Sequence, residues 1–194
     1  MITRAEVANG PVDVLINNAA LMVPGPLVHM TAEDVRTIVT VNTIAPLELA
    51  RGAMKTMIER RHGSIVNVTS LAGHLAVRNI IPYCSSKAAL TTATEALRRE
   101  VAGTGVHARL VVLGYVATDM MDESHADPVA KAQAIRLGRL PSLSTESVSA
   151  DIVASIEHDR PVTVLPPLAT PLHHLRLLPQ RLVDGLMAGI PRSL

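Results

Sequence analysis

Aromatic residues and cysteine are almost absent from this sequence of 194 residues. It has no tryptophan and no phenylalanine, and its two tyrosines are Tyr83 and Tyr115. Two tyrosines cannot form the base-stacking platforms of single-strand nucleic-acid binders or an aromatic cage. The single cysteine, Cys84, excludes an intrachain disulfide framework and a cysteine-based zinc site, and it fits a reducing compartment.

Surplus charge and long apolar runs are lacking as well. Eighteen lysines and arginines face 17 acidic residues, so the formal charge of +1 provides no excess for a nucleic-acid backbone. No apolar run approaches the roughly 18 residues that a membrane span needs. The first residues do not resemble a signal peptide. These features predict a soluble, cytoplasmic protein with no nucleic-acid partner.

Glycine-rich phosphate-binding turns and metal motifs are not found either. The eleven glycines are scattered, and neither G-x-G-x-x-G nor G-x-x-x-x-G-K-[ST] occurs. The eight histidines have no metal-ligand spacing. The adjacent His173 and His174 are predicted to be surface residues. The sequence therefore predicts no metal site and contains no phosphate cradle of a known pattern.

Short β-branched apolar runs alternate with longer helical patterns along the chain, which predicts an α/β fold with a parallel sheet and crossover helices. A helical pattern begins with the capping box Thr31–Asp34 and is interrupted at Pro46. The predicted strands are Val12–Ile16, Ser64–Thr69, Val106–Leu113 and Pro161–Leu165, and the predicted long helices are Thr31–Arg61, Pro82–Ala102 and Ser144–Ile156.

Tyr83 and Lys87 stand four residues apart in a predicted helix, so their side chains share one face. A lysine ammonium within roughly 6 Å of a tyrosine favours the phenolate and brings its pKa nearer the working range of an acid/base catalyst. Ser70 follows the second strand, at the edge where open α/β sheets bind ligands. By itself the Tyr–Lys spacing also fits an ordinary helix pair, and Ser70 alone fits a turn hydroxyl.

The combination is more specific than its parts. Asn17-Asn18-Ala19-Ala20, Ser70, Tyr83-Cys84-Ser85-Ser86-Lys87 and the segment Leu113–Thr118 occur in the order and spacing that resemble the short-chain dehydrogenase/reductase (SDR) family. The resemblance extends from Val12 to about Met120. It implies an oxidoreductase that uses NAD or NADP and transfers a hydride between the nicotinamide and a small carbonyl or alcohol substrate. The implied fold is a Rossmann-like doubly wound parallel sheet.

The resemblance also implies roles for individual residues. Tyr83 is the general acid/base, Lys87 lowers its pKa and binds the nicotinamide ribose, and Ser70 holds the substrate oxygen. Asn42 supports a water-mediated proton relay, which fits the loss of a helical partner for its carbonyl at Pro46. The implied cofactor-binding residues are Asn17, Ala19, Tyr83, Lys87, Val116 and Thr118. Asn17 and Asn18 also fit simple turn asparagines.

Two departures from the family pattern are mild, namely Ala20 for a glycine and Leu113 for a proline. The larger one is that the sequence resembles an N-terminally truncated member, lacking the N-terminal β-α-β-α-β portion with its glycine-rich turn. The strand Val12–Ile16 is then expected to be an unprotected edge. This leaves a second hypothesis, a non-catalytic remnant or interaction protein that no longer binds the cofactor.

The predicted organisation is a partial NAD(P)-binding domain over residues 1–165 and a C-terminal tail over residues 166–194. Apolar residues recur through the tail at steps of three or four, with arginines between them. This pattern fits docking on the substrate lid or on a partner subunit, and a membrane-surface segment is the alternative. The resemblance implies a homo-oligomer. The lid itself is expected within Asp119–Arg139.

Overall fold

The computed structural model describes residues 1–118, 120, 129 and 142–175. The expected lid and the tail beyond residue 175 therefore lie outside the described residues, apart from Met120 and Val129. Helices and strands alternate, which confirms the α/β class. They are α1 (Ile2–Asn9), β1 (Val14–Asn17), α2 (Ala32–Val39), α3 (Ala45–Arg60), β2 (Gly63–Ser70), α4 (Ala72–Leu75), α5 (Ile81–Glu100), β3 (Val106–Leu113), α6 (Thr145–Glu157), β4 (Val162–Leu165) and α7 (Thr170–His174).

The described strands pair in parallel in the order β1-β2-β3-β4. The predicted strand Val106–Leu113 is confirmed residue for residue, and the bounds of the other three strands differ from the predicted ones by one or two residues. Among these strands β1 lies at one edge, as expected, and its Val14 is 42% exposed. The opposite edge is β4.

Helices cover both faces of the sheet, as a doubly wound fold requires. On one face Ile65 and Ala108 pack with Ala53 and Met57 of α3 and with Leu97 of α5. Successive side chains of a strand point to opposite sides of the sheet. The strand residues next to those of the first cluster therefore lie on the other face, where they pack against α6. That second cluster contains Val66, Val68, Val111, Val148, Ile152 and Leu165.

The predicted capping box is confirmed at the start of α2. The Thr31 hydroxyl accepts a hydrogen bond from the Asp34 N–H at 3.0 Å, and the Asp34 carboxylate accepts one from the Thr31 N–H at 2.9 Å. The expected interruption near Pro46 takes the form of a π-helical turn, Thr40–Ile44, before α3. Pro46 itself lies in the first turn of α3, where its missing N–H is tolerated.

The first part of the predicted tail packs on the domain. Ala169 is buried with Leu71, Leu75 and Val164, and Leu172 contacts the same cluster. His173 is only 6% exposed, so the surface position predicted for it is wrong, whereas its neighbour His174 is exposed. Folding of α7 back onto α4 causes this difference. Within the described ranges, no helix has the length and apolar character of a membrane span.

Candidate active site

A cavity of about 610 Å³ opens at the carboxyl ends of β2 and β3. Ser70 ends β2 and Leu113 ends β3, so the cavity occupies the edge where open α/β sheets bind ligands. Six of the predicted site residues line it, namely Ser70, Tyr83, Lys87, Ala19, Val116 and Thr118. Most of the other lining side chains are aliphatic, among them Ile16, Leu113, Val148 and Ile152.

Tyr83 and Lys87 enter the cavity from the first turns of α5. The helix begins at Ile81, with Pro82 in the first turn, where proline is favourable. The Lys87 Nζ lies 5.9 Å from the centre of the Tyr83 ring. Lys87 is 2% exposed, and its Nζ donates a hydrogen bond of 3.0 Å to the Val68 carbonyl. The predicted pair therefore shares one wall of the cavity.

Burial dominates the protonation of both groups. Desolvation lowers the pKa of Lys87 to about 8. Desolvation also raises the pKa of Tyr83, and a hydrogen bond from Ser70 opposes that rise. Part of the Tyr83 ring stays accessible, but protein atoms surround its hydroxyl. Burial is the largest influence on the Tyr83 pKa, and the lowering of that pKa by Lys87 stays a prediction.

Ser70 is held at the junction between β2 and α4. Its Oγ accepts a hydrogen bond from the Ala72 N–H at 3.1 Å, and the Ser70 side chain lies close enough to Tyr83 to lower the pKa of the phenol. Gly73 lets α4 approach α5 closely: a Cβ there would lie 2.8 Å from the backbone nitrogen of Ala88. A side chain at this position would push α4 away from α5 at Lys87 and Ala88. Sequence reasoning did not single out this glycine.

Asn42 lies behind the cavity wall and clamps two segments together. Its Oδ1 accepts from the Leu21 N–H at 2.7 Å, and its Nδ2 donates to the Leu21 carbonyl at 2.8 Å. The same Nδ2 lies 3.0 Å from the Oγ of Ser86, whose hydroxyl donates to the Tyr83 carbonyl at 2.8 Å. Asn42 thus connects the loop after β1 to the first turn of the helix that carries Tyr83.

Asn17 also lies outside the cavity lining, in a buried polar network across the sheet. Its Nδ2 donates to Asn67 Oδ1 at 2.7 Å and to the Pro46 carbonyl at 3.3 Å. Asn67 Nδ2 in turn donates to Thr94 Oγ1 at 2.9 Å. This network fixes the turn that carries Ala19. Asn67 was not predicted as a site residue, although a polar residue inside an apolar strand is a detectable signal.

The part of the chain that is described contains no group of three or more His, Cys, Asp or Glu side chains that could hold a metal ion. A family model described as short chain dehydrogenase matches residues 1–129. The chain belongs to the short-chain dehydrogenase family. The predicted family and the Rossmann-like fold class are confirmed.

Several named relatives share this family likeness. Ketoacyl reductase HetN of Nostoc is 39% identical over 117 residues, which cover 60% of this chain and 41% of the relative. The 3-oxoacyl-[acyl-carrier-protein] reductase FabG of Escherichia coli is 33% identical over 139 residues, covering 70% of this chain and 56% of the relative. Nodulation protein G of Rhizobium meliloti is 33% identical, with 82% and 65% covered. The chain spans 41% to 65% of the length of these curated relatives.

Solved structures share the fold. A gluconate 5-dehydrogenase from Burkholderia cenocepacia, in complex with NADP and tartrate, has a TM-score of 0.74 at 24% identity, with 84% of this chain and 67% of that chain covered. A short-chain dehydrogenase from Sphingobium yanoikuyae, in complex with NADPH, has a TM-score of 0.74 at 22% identity, with 100% and 72% covered. At these identities the likeness shows the fold alone.

Proposed function

We propose that the chain carries the catalytic part of an NAD- or NADP-dependent oxidoreductase acting on a carbonyl or alcohol. The observation that carries this proposal is the convergence of Ser70, Tyr83 and Lys87 on one cavity at the carboxyl ends of the strands. The family membership and the named ketoacyl reductases among the relatives support it. The nicotinamide cofactor supplies or accepts the hydride.

Tyr83 is the proton donor to the carbonyl oxygen in reduction and the acceptor from the alcohol in oxidation. Burial raises the pKa of this hydroxyl, and the Ser70 hydroxyl opposes that rise, which favours release of the proton to the substrate oxygen. The Ser70 hydroxyl holds the same substrate oxygen and stabilises negative charge that develops on it. Asn42 holds the first turn of α5 and supports a water-mediated proton path to Lys87.

The residues of the cavity fit a nicotinamide nucleoside. Lys87 places a buried ammonium at the wall, and one of its three N–H donors is engaged by Val68. A ribose with two hydroxyls offers acceptors for the others. Val116 and Thr118 are the proposed contacts of the carboxamide, and Ala19 lies on the turn proposed to face the adenosine half. The cavity's aliphatic walls suit the flat nicotinamide ring and an apolar substrate.

Cofactor binding and turnover test the proposal directly. Titration of the chain with NADH and NADPH should change their fluorescence, and a 3-oxoacyl thioester, ketones and aldehydes serve as substrate probes. Tyr83→Phe should lower kcat by roughly 10²- to 10⁴-fold while cofactor binding persists. Tyr115→Phe is the matched control, since this second tyrosine has no proposed catalytic role. Full turnover in Tyr83→Phe would refute the assignment.

The second hypothesis from the sequence, a non-catalytic remnant, predicts no fluorescence change in the same titration. The convergence of the catalytic set favours the enzyme. Cytoplasmic location, homo-oligomer formation, the division at residues 165 and 166, and a membrane role of the tail stay predictions.

A further inference from the structure

Two histidines outside the proposed catalytic set pair directly behind Ser70. His74 Nε2 lies 3.0 Å from His173 Nδ1, with ring centres 5.1 Å apart. The residues are 99 positions apart, and His173 is 6% exposed. The contact therefore joins α7, in the predicted tail, to α4, which follows the serine of the site.

The ring nitrogens of His74 have defined roles because one of them faces a carbonyl. Its Nδ1 lies 3.4 Å from the Ser70 carbonyl oxygen, which can only accept a hydrogen bond. Nδ1 therefore carries the proton, and in the neutral ring Nε2 is the acceptor. With His74 neutral, His173 then donates from Nδ1. The result is a directional chain from His173 through His74 to the backbone of Ser70.

The Ser70 carbonyl lies at the junction between β2, which Ser70 ends, and the first turn of α4. The backbone N–H of His74 bonds the Leu71 carbonyl at 2.8 Å and not that of Ser70. The His74 imidazole contacts the Ser70 carbonyl, while the Ser70 hydroxyl accepts from the Ala72 N–H, and Ser70 lines the cavity together with Tyr83. Ser70 is thus fixed on its backbone and on its side chain by different groups.

We propose that His74 is a positioning residue for Ser70, and that His173 stabilises the tautomer and ring orientation of His74. The proposal rests on the proposed function, since it assigns these histidines to the hydroxyl that binds the substrate oxygen. The sequence segment 166–175 then belongs to the working site. A small displacement of a reacting group lowers turnover strongly, so loss of this support acts on kcat.

Spectroscopy tests the pair without requiring turnover. In the ¹⁵N-labelled chain, His74 should be the tautomer protonated on Nδ1, with an unprotonated Nε2. His173→Leu should shift the His74 ring signals, and the matched His174→Leu, which changes the exposed neighbour, should not. An Nε2-protonated His74, or His74 signals unaffected by His173→Leu, would overturn the pair.

A second readout follows the effect on the site. With the ring carbon bearing the hydroxyl labelled by ¹³C, the two tyrosines give two signals, which Tyr115→Phe assigns. His74→Leu should shift the Tyr83 signal, because the Ser70 hydroxyl, which influences the pKa of Tyr83, moves. His74→Asn keeps an N–H near the Nδ1 position and should restore the signal. An unchanged Tyr83 signal in a folded His74→Leu variant would overturn the positioning role.

Kinetics separates this proposal from the proposed function. His74→Leu and His74→Gln should lower kcat roughly tenfold with the cofactor KM unchanged, and His74→Asn should recover most of the loss. Parental kcat in a folded His74→Leu variant would overturn the positioning role while Tyr83→Phe still decides the catalytic assignment. If the preparation shows no turnover, the proposed function is refuted. The ¹³C signal of Tyr83 then decides whether His74 positions Ser70.

Discussion

Lys87 donates a hydrogen bond of 3.0 Å from its Nζ to the carbonyl oxygen of Val68, a residue of the strand that Ser70 ends. The bond crosses from α5 to the central part of the sheet and holds a buried ammonium at the cavity wall. It satisfies one donor, but the charge is still largely removed from water. The cost of that burial makes the stability of the fold depend on pH.

We expect Lys87→Met to stabilise the fold at pH 7, and this effect should disappear as pH rises. Burial lowers the pKa of Lys87 to about 8, so above that pH the unfolded chain binds a proton that the folded chain does not. The stability linked to Lys87 is therefore fully present only above its ordinary pKa of about 10.4, and it is lost as pH falls through 8. The difference between the two pKa values corresponds to roughly 3 kcal/mol of stability. The loss of the hydrogen bond to Val68 reduces the gain expected for Lys87→Met by about 1 kcal/mol.

Urea unfolding of parent and variant at matched pH values between 7 and 9.5 measures this. The comparison must be made at each pH, because burial raises the pKa of Cys84 to about 11 and so lowers the parent's stability over part of this range. Cys84 is common to both proteins, so its contribution cancels. A difference between parent and variant that stays constant with pH would contradict the prediction.

Asn42→Leu should cost about 3 kcal/mol of unfolding free energy. The substitution leaves the N–H and carbonyl of Leu21 without their side-chain partner, and an unpaired, partly buried polar group costs roughly 1–3 kcal/mol. Asn9→Leu is the control, since Asn9 is exposed and makes one bond of 3.3 Å to Ala5. The unfolding free energy of Asn9→Leu should differ from that of the parent by no more than about 0.5 kcal/mol. Equal losses in both variants would exclude the proposed clamp.

The features that the sequence predicts well are those determined by residues close together in the chain. The capping box at Thr31 depends on residues three apart, and Tyr83 and Lys87 share a face because of helix geometry. The strand Val106–Leu113 is bounded by Gly105 and Gly114, so its ends can be read from neighbouring residues.

The features that could not be predicted depend on distant contacts. The burial of His173 requires α7 to fold back onto His74, and two adjacent histidines give no sign of that. The π turn before Pro46 inserts an extra residue into a helical repeat without a specific sequence signal. The dominance of desolvation in the Tyr83 pKa depends on how tightly the cavity closes around one hydroxyl, which spacing along a helix does not determine.

Arg109 offers a test at the end of the sheet opposite the cavity. Its Nε donates to Ser64 Oγ at 3.0 Å, and its Nη1 pairs with Asp159 at 3.0 Å. Arg109→Met should cost about 2 kcal/mol, less than a fully buried pair, because the Asp159 side chain is 69% exposed and can be hydrated. The control is Arg36→Met, whose pair with Glu33 is exposed and contributes about 0.5 kcal/mol or less. Thermal unfolding of both variants decides the ranking.

Thr163 and Thr94 are both buried, yet the same substitution should change stability in opposite directions. Within the described residues, Thr163 Oγ1 is buried without a hydrogen-bond partner, so Thr163→Val replaces an unpaired hydroxyl by a methyl group and should stabilise by about 1 kcal/mol. Thr94 Oγ1 accepts from Asn67 Nδ2 at 2.9 Å and donates to the Leu90 carbonyl at 2.6 Å. Thr94→Val leaves the Asn67 amide unpaired and should destabilise by about 2 kcal/mol.

Chemical denaturation of the two variants beside the parent gives both values in one experiment. Since both substitutions remove a hydroxyl and keep the β-branched shape, differences in volume and rotamer freedom largely cancel. The sign then depends on whether the hydroxyl had a partner. Destabilisation by Thr163→Val as large as that by Thr94→Val would mean that the Thr163 hydroxyl is hydrogen-bonded in solution, and that β4 packs against α6 differently from the arrangement described.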